Sequence, residues 1–491
     1  MLALGELFLA VLLTLLAAHY LSLQWSRRRY PPGPSPLPII GNLWTLGFEL
    51  RFEPLMQLAK THGNIFTVWL GHKPVVVLNG CQTIRDGLIS HSEELSGRPK
   101  IPMFEALSRG KGVIFTSGHN WKQQRRFGLM AMRNLGLGKK SLEGRIQCEA
   151  QNLLEFFAMK KGDYVDPSPA LLHSVSNVIA AVVFGHHFSN DDKEFLTLMK
   201  ANDLFTNFID SIWARVTFRC FPWVMQHLPG PHKKIFMYNN IMETFVKKEI
   251  NIHKENGVPE EPQDLADYYL TQIDKTSDDA TSSYDEDNMV RLLVELFVAG
   301  METTTTTLRW ALLHMVNQPD IQEKVQKELD TVLEKSEIIQ YEDRKRLPYT
   351  NAVIHEIQRH SNIATFGLFR QVIKETSLQG YNIEKGTIVI ANLPSSLYDP
   401  DHWETPQQFN PEHFLDKDGN FVTSDAFLPF SAGHRVCLGE MLARTELFIF
   451  FSSLLRAFTF QLPEGVKEVN MNYILAATLQ PHPYQICAVP R

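Results

Sequence analysis

Residues Leu2 to Leu23 are almost wholly apolar, with Glu6, Thr14 and His19 as interruptions. Roughly 20 apolar residues suffice to cross a bilayer as a helix, so the pattern predicts a membrane anchor over residues 1–25. Trp25 and then Arg27-Arg28-Arg29 follow at once, and a positive cluster on that side places the bulk of the chain in the cytoplasm. No basic residue precedes the apolar run and no small-x-small cleavage site is seen, so a removed signal peptide is not expected. Pro31-Pro-Gly-Pro-Ser-Pro-Leu-Pro38 lacks the donors and the backbone freedom for a helix. Residues 26–40 are therefore expected to be a basic, proline-rich hinge, a stiff spacer between anchor and globule.

From Gly41 the pattern is mixed. Ile65 to Leu70 and Pro74 to Leu78 have the composition of paired short strands, with Gly71-His72-Lys73 as their turn. Helical spacing then dominates: Trp121 to Leu135, Leu142 to Phe157, Leu171 to Phe184, Phe195 to Ile209 and Lys233 to Glu255. Asp274 to Asp287 is polar enough to predict a solvated loop before a long apolar helix from Leu292 to Val316. Strands are expected again at Ile373 to Leu378 and Thr387 to Ala391, and an amphipathic helix from Met441 to Phe458. The expected fold is mainly α with small β-sheets, residues 41–491 forming a single domain. No internal repeat or low-complexity segment is present.

Composition narrows the function classes. The 491 residues are 44% hydrophobic, ample for a large core, and the net charge of −6 argues against wholesale nucleic-acid binding. The five cysteines, Cys81, Cys148, Cys220, Cys437 and Cys487, are scattered, with no CxxC pair for a disulfide framework or a zinc site. That suits a reducing compartment. No Gly-x-Gly-x-x-Gly unit provides for a bound dinucleotide.

Candidate chemistry centres on Phe430-Ser-Ala-Gly-His-Arg-Val-Cys437-Leu-Gly439. Cys437 lies just before a predicted helix, whose unpaired N–H groups and dipole stabilise a thiolate. Gly433 can bring bare backbone against a flat ligand, and Arg435 supplies a cation for a carboxylate on it. A buried cysteine at a loop–helix junction is the competing explanation. Trp121 and Arg125 sit one helical turn apart and are both donors only, a pair that suits a carboxylate. In Ala299-Gly300-Met301-Glu302-Thr303-Thr304 a glycine and a β-branched run weaken a helix interior, and threonine hydroxyls can take the i−4 carbonyl and bend the axis. Glu302 and Thr303 beside such a groove could bind O2 and relay protons; a packed helix with satisfied threonines is the alternative. Glu356 and Arg359 form an i,i+3 pair.

Together these stretches resemble the cytochrome P-450 family. Its haem-binding signature matches at Phe430, Gly433, Arg435, Cys437 and Gly439, and its Ala-Gly-x-acid-Thr motif at Ala299 to Thr303. Its Glu-x-x-Arg motif matches at Glu356 and Arg359, to be tied to Pro411-Glu-His413-Phe414, where His413 stands in place of the arginine of many members. These motifs span residues 98 to 439 in the family's order. The chain is most similar to the J branch of the vertebrate microsomal second family, through Arg125-Arg-Phe127, Phe221-Pro-Trp223, Leu228-Pro-Gly-Pro231 and Cys487-Ala-Val-Pro490.

The resemblance implies haem b between the long bent central helix and the cysteine loop, with Cys437 as axial thiolate. It implies Trp121, Arg125, Arg98, Arg370 and Arg435 at the propionates, and Phe430, Gly433 and Ala299 against the cofactor. Thr303 would hydrogen-bond O2 and Glu302 would pass protons through water, while Glu356, Arg359 and His413 form a structural network. A histidine at 413 makes that network more pH-sensitive. Electrons would come from NADPH through NADPH–cytochrome P-450 reductase, with cytochrome b5 as a second donor, docking on Lys122, Arg125, Arg126, Arg133, Lys139 and Lys140. By position, a lipophilic substrate would meet Ile101, Phe104, Ile114, Phe115, Phe205, Phe208, Leu296, Phe297, Ile363, Ala364, Phe366, Ile474, Leu475 and Ala476. Phe221, Pro222 and Trp223 would dip into the bilayer. The implied protein is an endoplasmic-reticulum monooxygenase acting on polyunsaturated fatty acids such as arachidonate and on xenobiotics. A thiolate-haem isomerase of lipid peroxides and a non-enzymatic membrane haem sensor are the alternatives.

Overall fold

The structure, a computed structural model, describes residues 2–47, 50–136, 140–209, 230, 232–334, 337–466 and 468–491. In chain order its principal helices begin with α1 (Leu2–Ser26), α2 (Phe52–His62), α3 (Pro102–Ser108), α4 (Gly118–Asn134), α5 (Lys140–Met159), α6 (Ser168–Phe184) and α7 (Lys193–Ile209). There follow α8 (His232–Asn256), α9 (Leu265–Lys275), α10 (Glu286–Asn317), α11 (Pro319–Val332), α12 (Pro348–His360) and α13 (Glu440–Ala457). The strands are β1 (Ile65–Leu70), β2 (Lys73–Leu78), β3 (Tyr164–Val165), β4 (Arg370–Gln371), β5 (Thr376–Leu378) and β6 (Tyr381–Ile383). They continue with β7 (Ile388–Ala391), β8 (Phe458–Gln461), β9 (Tyr473–Leu475), β10 (Leu479–Pro481) and β11 (Ile486–Pro490). The fold is mainly α with small sheets.

The chain divides into two compact units. One comprises Met1–Lys100, Ala364–His402 and Asp425–Val436; the other Ile101–Ile363, Trp403–Ser424 and Cys437–Arg491.

The first unit is built on the sheet β1-β2-β7-β4. β1 and β2 pair antiparallel from Ile65↔Leu78 to Leu70↔Lys73, so the turn is Gly71-His72, one residue shorter than expected. β2 then pairs parallel with β7, Val75↔Ile388 to Leu78↔Ala391, which buries the run Val75-Val76-Val77 on both faces. The single strand expected at 373–378 divides instead. Val372 donates to Thr387 and Ile373 to Glu94, and β5 and β6 form their own hairpin across Gln379-Gly380. α1 is apolar on every side and exposed, with Phe8 71% accessible, and Leu4–Arg29 is long and apolar enough to cross a membrane. The proline stretch is no free spacer: Thr67 donates its N–H to the Pro32 carbonyl, and Arg27 reaches Ser35 Oγ at 2.7 Å and the Gly33 carbonyl at 2.8 Å.

The second unit is a helical core with α10 at its centre. α10 packs against α6, α8 and α13, and residues 301–308 are buried except for Thr303. Its N-cap is Asp285, which accepts from the Asn288 N–H, so the helix starts well before the Leu292 that apolar spacing predicts. The polar loop is correspondingly shorter, since α9 occupies Leu265–Lys275, capped by Asp264. The close approach of α10 to α6 explains a glycine in mid-helix: a Cβ on Gly300 would meet Ile179 Cδ1 at 2.5 Å. Two small sheets, β3-β11-β8 and β10-β9, complete the unit.

Candidate functional site

In the second unit Cys437 stands two residues before Gly439, the N-cap of α13. The cysteine is free and exposed, yet enough protein surrounds it that burial pushes its thiol pKa up. The Gly439 N–H and the Arg125 guanidinium act the other way and favour the thiolate. Arg125 belongs to α4, which approaches the loop closely enough that a Cβ on Gly128 would lie 3.0 Å from Leu438 Cδ1. Trp121, one turn earlier, is buried. The structure thus brings Cys437, Arg125 and Trp121 to one end of α13 and one helix beside it.

Along α10, Leu296, Val298, Ala299, Gly300 and Thr303 are partly exposed, and of these Leu296, Ala299 and Thr303 share one helical face. Thr303 Oγ1 donates to the Ala299 carbonyl at 2.9 Å, and Thr307 Oγ1 to the Thr303 carbonyl at 2.9 Å. These are the i−4 bonds that the threonine run predicts. Glu302 faces elsewhere. Its Oε1 accepts from Thr478 Oγ1 at 2.7 Å, Gln480 Nε2 at 2.8 Å and Thr306 Oγ1 at 3.2 Å, and its Oε2 from Thr206 Oγ1 at 3.5 Å. The carboxyl therefore ties α10 to β10 and α7. Thr206, Thr478 and Gln480 carry no motif, and nothing in the sequence separates them from other polar residues.

Thr304 Oγ1 donates to Glu446 Oε2 of α13 at 2.9 Å. Glu446 is the only carboxylate between Met441 and Leu455, and burial pushes its pKa up to about 8, with the Thr304 hydroxyl pulling weakly down. A lone acid in an apolar helix is a sequence signal that motif reading passed over.

Glu356 and Arg359 form a fully buried bidentate pair, with Nε–Oε2 and Nη2–Oε1 both 2.7 Å. Arg359 also donates to the Pro406 and Gln408 carbonyls at 2.8 Å each, and Glu356 accepts from the Asn410 N–H at 2.7 Å. His413 Nε2 accepts the Thr405 N–H at 3.2 Å, which leaves Nδ1 to donate to Glu356 Oε2 at 3.4 Å. Phe414 is buried on the same segment.

In the first unit three arginines are each tied to oxygens of distant segments. Arg98 donates to the Leu368 and Phe369 carbonyls at 2.9 Å each, Arg370 to Ser431 Oγ at 3.0 Å, and Arg435 to the Ser96 carbonyl at 2.7 Å. Arg370 and Arg435 are buried. Gly433 has φ +72°, and a Cβ there would fall 1.7 Å from the Leu88 carbonyl oxygen, so packing within this unit already demands glycine. Phe430 is half-buried nearby in sequence.

The expected substrate contacts divide. Phe104 and Phe115 stack at 4.2 Å, and Phe104, Ile114, Leu296 and Ile363 are partly buried against the core of the second unit, with Ile101 also half-buried. Phe205 and Ala476 are buried, Leu475 is half-buried and Ile474 exposed. Phe297 lies among Phe184 and Phe195, at 5.9 and 6.3 Å. Ala364 and Phe366 belong to the first unit. The Phe208 side chain, Phe221, Pro222, Trp223, Lys139 and the Lys140 side chain lie outside the described residues. Lys122, Arg126 and Arg133 are exposed along α4, whereas Arg125 turns toward Cys437.

Comparison with known proteins places this geometry. A family model for cytochrome P450 matches residues 31–488. Cytochrome P450 2J2 of Homo sapiens is 42% identical over 488 residues, 99% of this chain and 96% of its own length. Cytochrome P450 2J1 of Oryctolagus cuniculus is 42% identical over 94% of this chain and 92% of its own. Cytochrome P450 2F2 of Mus musculus is 41% identical over 93% of each.

Proposed function

The chain belongs to the cytochrome P450 family, whose members are monooxygenases, and we propose that it inserts one oxygen atom from O2 into lipophilic substrates, using electrons from NADPH. The proposed substrates are polyunsaturated fatty acids such as arachidonate, together with xenobiotics. Residues 1–25 would anchor it in the endoplasmic reticulum, with residues 26–40 as hinge and residues 41–491 as a haem domain on the cytoplasmic face. Similarity to the 2J proteins along nearly the whole chain supports the substrate class.

The residues fit haem. Cys437 offers an open sulfur whose thiolate form is favoured by the Gly439 N–H and Arg125. Ala299 and Thr303, small and partly exposed on one face of α10, leave room for a flat group. In the second unit Trp121 and Arg125 have the donors that a propionate requires, and in the first unit Arg98, Arg370 and Arg435 have them. Thiolate-ligated haem supplies, when bound, the activation of O2 for cleavage of its O–O bond. The chain's own residues do the rest. Cys437 would hold the group, with the Gly439 N–H and the Arg125 guanidinium opposing in part the burial that raises its thiol pKa. Thr303 presents a hydroxyl that can leave the Ala299 carbonyl to donate to bound O2. Glu302 is a proton acceptor and donor held by Thr478, Gln480 and Thr306, and must turn from them to serve Thr303 through water. The exposed face of α4, with Lys122, Arg126 and Arg133, is suited to an acidic reductase, and to cytochrome b5.

The observation that carries this reading is Cys437, free and exposed just before α13, with the Gly439 N–H and the Arg125 guanidinium acting to favour its thiolate. The reduced, carbon-monoxide-bound protein should show the absorption band of thiolate haem, and Cys437→Ala should abolish it. Membranes containing the protein and reductase should convert arachidonate only with NADPH; conversion of a lipid hydroperoxide without NADPH would overturn the assignment.

A further inference from the structure

His253 of α8 and two carboxylates at the start of α9, Asp264 and Asp267, belong to none of the motifs. One ligand atom from each of the three lies within 4.8 Å of the other two. Asp264 and Asp267 are 3% and 5% exposed, and the His253 side chain is 11% accessible. His253 Nδ1 lies 2.8 Å from the Glu249 carbonyl and must donate to it, which leaves Nε2 facing Asp264 Oδ2 at 2.9 Å. Both acids also serve the helix start, but with one oxygen each. Asp264 Oδ1 accepts the Asp267 N–H at 2.9 Å, and Asp267 Oδ2 accepts the Gln263 N–H at 3.0 Å. Asp267 Oδ1 meets no hydrogen-bond donor among the described residues. Gly185 closes α6 beside them, and a Cβ there would lie 2.6 Å from Asp264 Oδ2, so the missing side chain keeps that oxygen open.

A neutral imidazole that donates through Nδ1 turns a lone pair on Nε2 toward the Asp264 oxygen, and two lone pairs repel. The arrangement therefore needs a cation between them. A proton supplies it in part: the hydrogen bond to Asp264 pushes the His253 pKa up to about 9 against the effect of burial. Yet one imidazolium against two carboxylates leaves a buried negative charge, which is costly. Neither acid pairs with a lysine or arginine among the described residues, and the neighbouring His186 and Glu249 pair with each other at 2.9 Å. Burial, with Asp264 alongside, raises the Asp267 pKa, as a carboxylate short of a cation requires. A divalent ion beside a neutral His253 balances both acids.

We propose that His253, Asp264 and Asp267 form a binding site for a divalent transition-metal ion of the zinc type, which ties the end of α8 to the start of α9. One imidazole and two carboxylates suit zinc, whereas calcium and magnesium favour oxygen alone. Bonds of about 2.0–2.2 Å set tetrahedral ligand atoms about 3.3 Å apart, so atoms already within 4.8 Å draw in by at most about 1.5 Å. The Glu249 carbonyl on Nδ1 and the two backbone N–H groups on the carboxylates orient the ligands, as outer partners of metal sites do. Water takes the fourth position. The site stands apart from the haem and monooxygenase reading and does not depend on it.

The test uses the detergent-solubilised full-length protein, stripped with a chelator and dialysed against zinc ion alone. One equivalent should bind, and none bound at about 0.1 mM free zinc overturns the proposal. His253→Gln and Asp267→Asn should each weaken binding at least about a hundredfold, since outer-shell changes alone cost up to about that much. Asp267→Asn keeps an oxygen for the Gln263 N–H, so its circular dichroism should match that of the parent. Affinities within about threefold of the parent in both variants overturn the proposal. Zinc must displace a proton from His253, so affinity should fall about tenfold from roughly pH 8 to pH 7, and equal affinities overturn the part given to His253. So that a misfolded variant leaves nothing open, X-ray absorption at the zinc edge is measured on the unsubstituted protein. It should show one imidazole with oxygen ligands at about 2.0–2.2 Å. A sulfur ligand at about 2.3 Å, or more than one imidazole, puts the ion elsewhere and overturns the proposal by itself.

Discussion

Glu356 and Glu446 are both buried carboxylates on helices of one core, and they are held in opposite ways. Glu356 on α12 meets a guanidinium with both oxygens, a backbone N–H and an imidazole. Glu446 on α13 meets one hydroxyl, that of Thr304, and its Oε1 has no hydrogen-bond partner among the described residues. The first is a joint between α12 and the 405–413 segment, its charge compensated on the spot. The second is a carboxyl that burial keeps protonated at neutral pH. The difference shows that burial alone does not give a carboxylate its role; the cation beside it does.

The largest effect should come from breaking the compensated site. Arg359→Leu leaves Glu356 buried without its cation and should cost about 3–5 kcal/mol. Denaturant unfolding followed through the haem band measures it, and a loss below about 1 kcal/mol would erase the distinction drawn here. Next is Glu446→Gln. The folded pKa of about 8 lies above the ordinary glutamate value, so the folded state binds the extra proton between roughly pH 4.5 and 8. Stability of the parent should therefore fall as pH rises through that window, by an amount on the order of a few kcal/mol, and level off above it. In Glu446→Gln that fall should vanish; a parallel pH profile would count against a protonated Glu446.

Smaller again is Thr304→Val, which removes the one hydrogen bond to Glu446 at nearly constant volume. It should cost about 1–2 kcal/mol and extend the fall in stability to higher pH. The adjacent Thr303→Ala should cost the least, under about 1 kcal/mol, because its hydroxyl returns only to its own helix. Its consequence is functional: the haem band is kept while NADPH consumption yields more peroxide and less product. Unchanged coupling in Thr303→Ala would remove that threonine from oxygen handling.

Much of this was legible before any fold was known. Local rules carry the apolar N-terminal helix, the β1–β2 hairpin and most of the long helices, since apolar spacing and turn residues act over a few positions. The boundaries that moved were those set by caps. Asp285 and Asp264 extend or create helices in a stretch whose polarity alone suggests loop. The strand expected at 373–378 split because Ile373 donates its N–H to Glu94, almost three hundred residues earlier in the chain, while Thr376–Leu378 pairs locally with Tyr381–Ile383.

For the proposed site, sequence by itself names the cysteine, the arginines and the acid–threonine pair as candidates, because each is a residue type at a short fixed spacing whose chemistry is local. Only the tertiary structure decided what each group meets. It turned Glu302 toward Thr478 and Gln480, gave Gly433 and Gly300 packing reasons, set Thr304 against Glu446 and bound Val113 and Ile114 to Glu295. Those partners lie up to 345 residues apart along the chain, as Gly433 does from Leu88. Hydrogen bonds and burial act through space over a few ångströms, and spacing along a chain holds no record of which distant residues the fold will bring that near.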